Sequence, residues 1–152
     1  MSNPDTLSPL IREMIEDHKF IRSSIKRIQE VLRNKVRDRN SLHLALNMIH
    51  ILEDRLASHF KLEEDHGILQ DIAEERPRLA EDVRGIIAEH GLMLHQLREI
   101  RQGRDDPALE LKPFLAKTEN AFETFVKTLI HHESNENQLV NEAYNWDIGD
   151  KD

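Results

Sequence analysis

The chain lacks cysteine altogether and contains few glycines, prolines and aromatic residues. Without cysteine it cannot form a disulfide, a thiolate ligand or a thiol nucleophile, which excludes iron–sulfur clusters and cysteine-type structural zinc sites. Its 152 residues include only five glycines and five prolines, and aromatic residues make up 5%. This composition is typical of long helices, and it leaves nitrogen and oxygen as the available metal-binding donors.

Positive charge is also scarce, since 29 acidic residues outnumber 21 lysines and arginines and give a formal net charge of −8. Nucleic acids and anionic lipid surfaces require concentrated basic side chains, so neither is an expected partner. No run approaches the roughly 18 consecutive apolar residues of a membrane span, and the amino terminus lacks the apolar stretch of a secretory signal. We therefore expect a cytoplasmic protein with no membrane partner.

Apolar residues recur at steps of three and four along four stretches, the spacing of amphipathic helices that pack around a common core. Ser8 and Ser41 are predicted N-caps. Pro77 and Pro113 are expected in first turns, and Gly103 after a last turn. We expect one all-α domain over residues 1–152, with its core at about 8–144, folded as an antiparallel up-down-up-down four-helix bundle. The predicted helices are 8–37, 41–66, 77–103 and 113–144, with 68–75 as a connecting turn or short extra helix.

Histidine interrupts each of the four apolar stripes, and in two of them a glutamate follows one turn later. The histidines are spaced regularly, with 41 residues from His18 to His59 and 42 from His90 to His132. In an up-down bundle, residues equally far from a turn lie at the same level, so these side chains are expected to converge. The predicted set in the core is His18, His59, Glu63, His90, His132 and Glu136.

Buried ionisable groups require compensation, because each one without a partner costs on the order of several kcal/mol. A metal compensates them directly, since neutral imidazole and carboxylate are its ligands and its charge balances theirs. Such donors accept iron, manganese or zinc, and a site with unfilled positions favours redox iron. We predict a dinuclear site in which His18 and His59 serve one metal, His90 and His132 serve the other, and Glu63 and Glu136 bridge them.

The pattern of these six residues, with its two His-x3-Glu pairs, resembles the hemerythrin-like, or HHE cation-binding, domain. The segment HFKLEE at 59–64 is especially similar to the second-helix motif of that family. The resemblance covers about residues 11–139. It implies an antiparallel four-helix bundle around two non-haem iron ions, in a family that binds dioxygen or acts in oxygen, peroxide, nitric oxide or iron responses.

Two differences separate the chain from the oxygen-carrying hemerythrins. Their third helix has two histidines four residues apart, whereas His90 here stands alone. Their fourth helix has His-x4-Asp, whereas the stripe here selects His132-x3-Glu136, although His131 with Glu136 would keep the older spacing. Fewer ligands leave positions for water or peroxide, which favours oxidative or sensing chemistry. His66, one turn after Glu63, is a candidate for the vacant position.

Other histidines and carboxylates near the stripes have simpler interpretations. Glu64 or Glu89 could orient a ligand imidazole from outside the ligand set. No acid or base beyond the ligands is evident in the sequence. The histidines outside the stripes are expected in solvent or at helix flanks: His43, His50, His95 and His131.

Three functions follow from this sequence. The first is a di-iron protein that binds or reacts with dioxygen, peroxide or nitric oxide, with zinc or manganese as alternative metals and peroxide disproportionation as one compatible activity. The second is an iron- or oxygen-responsive sensor or interaction module without turnover. The third is a metal-free bundle, in which the six polar core groups would satisfy one another by hydrogen bonds.

Overall fold

A computed structural model describes residues 9–102 and 110–144, without the side chains of residues 9–11, 13, 14 and 66. All regular structure in these two ranges is helical, and no strand occurs in them. Within the same ranges, no helix combines the length and apolarity needed to cross a membrane. The long helices are α1 (Pro9–Asn34), α2 (Arg39–His66), α4 (Ala80–Gln102) and α5 (Leu111–Tyr144), and α3 (Ile68–Glu75) is short.

The start of α2 differs from the sequence prediction, which placed the N-cap at Ser41. Asp38 is the N-cap instead, and its Oδ1 accepts a hydrogen bond from the Ser41 N–H at 2.8 Å. The Ser41 Oγ in turn accepts hydrogen bonds from the backbone N–H groups of Asp38 at 3.0 Å and Arg37 at 2.9 Å. These bonds form a capping box and fix the turn, so α1 ends at Asn34 and not at Arg37 as predicted.

The other predicted boundaries agree more closely with the structure. Gly67 is the C-cap of α2, and the connecting segment 68–75 is the short helix α3. Pro77 opens a 3-10 turn, Pro77–Leu79, that leads into α4. The last long helix begins two residues before the predicted Pro113. Ser8 and Gly103 lie outside the described residues.

The four long helices pack as a helical bundle, with α2 against α1 and α4, and with α5 against α4 and α1. Their apolar stripes form two clusters of buried residues. The larger cluster includes Ile49 and Phe122, and the smaller one includes Ile72 and Leu139. On α4 and α5, His90, His132 and Glu136 lie between the segments that supply these two clusters. On α2, Glu63 follows Phe60, the last α2 residue of the larger cluster, and precedes α3, which belongs to the smaller one. The core is therefore two apolar blocks separated by one polar layer.

Candidate metal centre

The structure brings together the donor atoms of all six residues predicted as ligands. Five of these residues are buried, and His18 is half-buried. The donor atoms form two groups, and within each group they all lie within 4.8 Å of one another. Glu63 belongs to both groups. One group is His18, His59 and Glu63, and the other is Glu63, His90, His132 and Glu136.

Helical spacing positions each His–Glu pair, because a step of four residues returns to the same face one turn later. His59 Nε2 lies 3.6 Å from Glu63 Oε2, and His132 Nε2 lies 3.7 Å from Glu136 Oε2. Across helices, His90 Nε2 lies 3.3 Å from Glu63 Oε1. The two oxygens of Glu63 thus face different histidines, as a bridging carboxylate requires. Bridging by Glu136 stays a prediction.

Several donor atoms in this layer are buried and lack hydrogen-bond partners among the described residues. They are both carboxylate oxygens of Glu63, Nε2 of His90, Nε2 of His132 and Oε2 of Glu136. Buried polar atoms are almost always paired, because an unpaired one loses its hydration without compensation. A cation among these atoms would satisfy them, and imidazole and carboxylate suit iron, manganese or zinc. The residues present therefore fit a metal.

Three of the histidines, on the ring side that faces away from the donor groups, each contact a carboxylate that is not a predicted ligand. A hydrogen bond from Nδ1–H to a carboxylate leaves the lone pair of Nε2 directed at the centre, as in many metal sites. Two of these carboxylates, Glu64 and Glu89, are the candidates named from the sequence. The pairs are His59 with Asp17 at 3.3 Å, His90 with Glu64 at 2.7 Å and His132 with Glu89 at 2.7 Å.

Sequence analysis missed the third carboxylate, Asp17. Its side chain is buried, and its Oδ1 accepts a hydrogen bond from Arg55 Nε at 3.0 Å and lies 2.8 Å from Arg55 Nη2 in an ion pair. Asp17 precedes His18 on α1, and Arg55 lies one turn before His59 on α2. Their sequence positions carried a signal, since both flank predicted ligands with opposite charges. Only the packing of α1 on α2 shows that the two side chains meet.

Apolar side chains enclose the donor atoms. The ring of Phe60 stacks on His90 with a centroid distance of 3.9 Å and an interplanar angle of 4°. Ile21, Leu56 and Leu129 line a cavity of about 10 Å³ beside the histidines. This volume is close to the space of one water molecule. The buried donor atoms are therefore largely removed from bulk water, and the space beside them is small.

Burial and mutual charge separate the pKa values of the two glutamates. Burial beside the ionised Glu63 raises the pKa of Glu136 to about 10. Burial opposes ionisation of Glu63 too, but the nearby imidazoles of His59 and His90 outweigh it and hold the pKa of Glu63 below its usual range. Burial lowers the pKa of His18 and of His132. At neutral pH the metal-free layer thus holds one ionised glutamate and one protonated glutamate.

Burial alone would lower the pKa of His59, but the carboxylates of Glu63 and Asp17 outweigh it and raise this pKa. His59 therefore holds a proton more readily than an isolated imidazole does. Ligand histidines must be neutral, so a metal competes with protons at both His59 and Glu136.

The remaining candidates stay outside this arrangement. His131 is exposed on α5 and contributes no atom to either donor group. His66 is the last residue of α2, and its side chain lies outside the described residues, so its proposed role stays a prediction. His43 and His95 are exposed, and His50 is half-buried at a helix flank, as expected for histidines off the stripes.

Comparison with known proteins gives one match. The family model described as the hemerythrin HHE cation binding domain matches residues 10–144. No curated protein and no solved structure matches the chain. The matched range includes both donor groups and all three outer carboxylates.

Proposed function

The chain belongs to the hemerythrin HHE cation-binding family, and on this basis we propose that it is a non-haem di-iron protein that binds or reacts with dioxygen, peroxide or nitric oxide. The observation that carries the proposal is the set of unpaired, buried donor atoms that converge from three helices. Two ferrous ions would satisfy these atoms and balance the carboxylates. The same atoms weigh against a metal-free bundle, which needs them to be hydrogen-bonded to one another.

In this proposal His18 and His59 hold one ion, His90 and His132 hold the other, and Glu63 joins the two. Bound iron would supply redox chemistry and an open coordination position for a small ligand. Glu136 carries a proton in the metal-free layer and releases it when a metal binds, because a ligating carboxylate is ionised.

The chain's own residues determine which molecules reach the layer. The cavity beside the histidines, about 10 Å³ in volume, is bounded on one side by Ile21, Leu56 and Leu129. These apolar side chains hinder the entry of large molecules, so the proposed ligands are limited to small ones. Dioxygen, nitric oxide and hydrogen peroxide all meet that limit. Turnover of peroxide is one activity within this proposal, and sensing of iron or oxygen without turnover is its alternative.

We further propose that the helices run antiparallel in up-down-up-down order, within one cytoplasmic domain over residues 1–152. Contacts between α1 and α5 support the helix direction. Gln29 donates to Glu123 at 3.1 Å, and Arg22 lies 3.8 Å from Glu133. Residue numbers therefore rise along α5 as they fall along α1, which is the pattern of antiparallel helices. The acidic composition supports the absence of nucleic-acid and membrane partners.

The first test is metal content with an ultraviolet–visible spectrum, on protein loaded anaerobically with ferrous iron and then exposed to oxygen or peroxide. We expect about two irons per chain and new charge-transfer absorption, because mixed nitrogen and oxygen donors suit a dinuclear centre. His59→Ala should lose iron, whereas His95→Ala, on an exposed face, should keep it. Wild-type protein without stoichiometric metal or spectral change would overturn the proposal.

A further inference from the structure

The two donor groups are unequal in ligand number. One group offers a donor atom from each of four buried residues, whereas the group around His18 and His59 offers three, including the shared Glu63. The second group is also less enclosed, since His18 is half-buried. A metal held there by two neutral imidazoles and part of one carboxylate lacks donors and negative charge.

A further carboxylate lines the cavity that the three-donor group adjoins. Glu133, on α5, bounds the same cavity as His18, His59 and Glu63. Among the described residues that line this cavity, it is the one carboxylate outside the predicted ligand set. The negative charge of Glu133 also acts on His18 and raises its pKa, an effect smaller than that of burial and of the charges of His59 and Glu63.

Arg22 is the counter-ion of Glu133, and it holds that carboxylate loosely. Arg22 Nη2 lies 3.8 Å from Glu133 Oε2, and the side chains are 64% and 26% exposed. Ion pairs with exposed partners contribute little to stability, so the carboxylate can leave this contact at small cost. Glutamate also has three rotatable side-chain bonds, which let its oxygens move by several ångströms.

We propose that Glu133 is an additional metal ligand, which leaves Arg22 and completes the coordination of the ion held by His18 and His59. This inference rests on the proposed dinuclear site. It gives the three-donor group a fourth donor and one more negative charge, which makes the two halves of the centre comparable. It also places one ligand of that ion on α5, so metal binding would join α1, α2 and α5.

The experiment is a cobalt(II) titration of the full chain, followed by calorimetry and by visible absorption, which reports the coordination number of cobalt. The wild type is expected to bind about two equivalents. Glu133→Gln should weaken the second equivalent by at least about tenfold and change its visible bands, with the first equivalent unaffected. Arg22→Gln removes the ion pair but keeps the carboxylate, so it should bind both equivalents at least as tightly as the wild type does.

Glu123→Gln is a matched control. Glu123 lies on the same helix and pairs with Arg33 on α1 at 3.8 Å, but it does not line the cavity. Wild-type binding of both equivalents by Glu133→Gln would overturn this inference alone. Equal loss in Arg22→Gln and Glu133→Gln would also overturn it, because the ion pair would then be the cause. A wild type that binds no cobalt would contradict the proposed function itself.

Discussion

Asp17 orients the ring of His59 so that Nε2 faces the donor groups, because its carboxylate accepts from Nδ1 on the opposite side of the ring. Asp17→Ala frees the imidazole to rotate and to change tautomer. We expect metal affinity to fall by about 10- to 100-fold, as is typical when the outer partner of a ligand histidine is lost. Calorimetric titration measures this change. The exposed Asp54→Ala is the control, and equal affinities in the two variants would contradict the role of Asp17.

Glu136 makes the metal-free protein sensitive to alkaline pH. Its folded-state pKa is raised to about 10, so the unfolded chain loses this proton at lower pH than the folded chain does. The contribution of Glu136 to the stability of the metal-free protein is therefore fully present below the usual glutamate pKa and should fall as the pH rises towards about 10. Metal affinity should change in the opposite direction and increase with pH.

Glu136→Gln tests this behaviour, since the amide mimics the protonated carboxyl. With a chelator present, its thermal midpoint should depend less on pH between about 6 and 9 than that of the wild type, and should be higher at the alkaline end. The same variant should bind metal poorly. Parallel pH profiles for the two proteins would show that Glu136 is not protonated in the folded state.

The residues that sequence analysis missed share one property, which is that they adjoin the apolar stripes. Periodicity predicted all six residues that the donor groups contain, because a polar group on an apolar face stands out from its neighbours. Asp17 and Glu133 are each one position away from a stripe histidine, where charged residues are ordinary. Only the contacts with neighbouring helices, Arg55 of α2 for Asp17 and Arg22 of α1 for Glu133, show where these two side chains lie.

The last turn of α2 carries Glu63 and has no room for a side chain at Gly67. A Cβ added there would lie 2.6 Å from the carbonyl oxygen of Glu63, which is closer than real contacts allow. Gly67→Ala must therefore displace this turn, and we expect lower metal affinity and a lower thermal midpoint. Metal titration and thermal unfolding measure both effects.

Gly91→Ala is the matched control within α4, where an added Cβ would meet no atom of the described residues within 4 Å. Alanine stabilises a helix relative to glycine by about 0.5–1 kcal/mol, so this variant should be more stable than the wild type and bind metal equally well. If Gly67→Ala behaved like Gly91→Ala, the close packing at the end of α2 would not matter for the site.

The periodicity of apolar residues predicted the presence of the long helices more reliably than it predicted their ends. Ser41 and Asp38 are both strong N-cap residues, and the sequence alone ranks them about equally. The structure prefers Asp38 because the side chain of each residue accepts from the backbone of the other. Such reciprocal bonds depend on backbone geometry that spacing does not specify, so the boundary differed by three residues while the buried face did not.

Metal should contribute much of the stability of the folded chain, because the polar layer is costly without it. A ligand present at ~1,000 times its dissociation constant stabilises the native state by about 4 kcal/mol, which corresponds to about 10 °C in the thermal midpoint of a domain of this size. Removing metal with a chelator should lower the midpoint by about that amount. His59→Ala removes a proposed ligand of one ion, so its midpoint should depend less on metal than that of the wild type, and an unchanged wild-type midpoint would show that folding is independent of metal.

The polar layer between the two apolar blocks has a consequence for local unfolding. The smaller block joins α3 to the start of α4 and the end of α5, and the metal layer lies between it and the larger block. Without a cation, the unpaired donors would contribute little attraction between the two apolar blocks. The smaller block could then unfold locally, and amide protons in α3 would exchange with solvent through that opening. With a cation bound, the same amides would exchange only when the whole bundle unfolds, and the supply of that cation would determine how long the chain resists proteolysis.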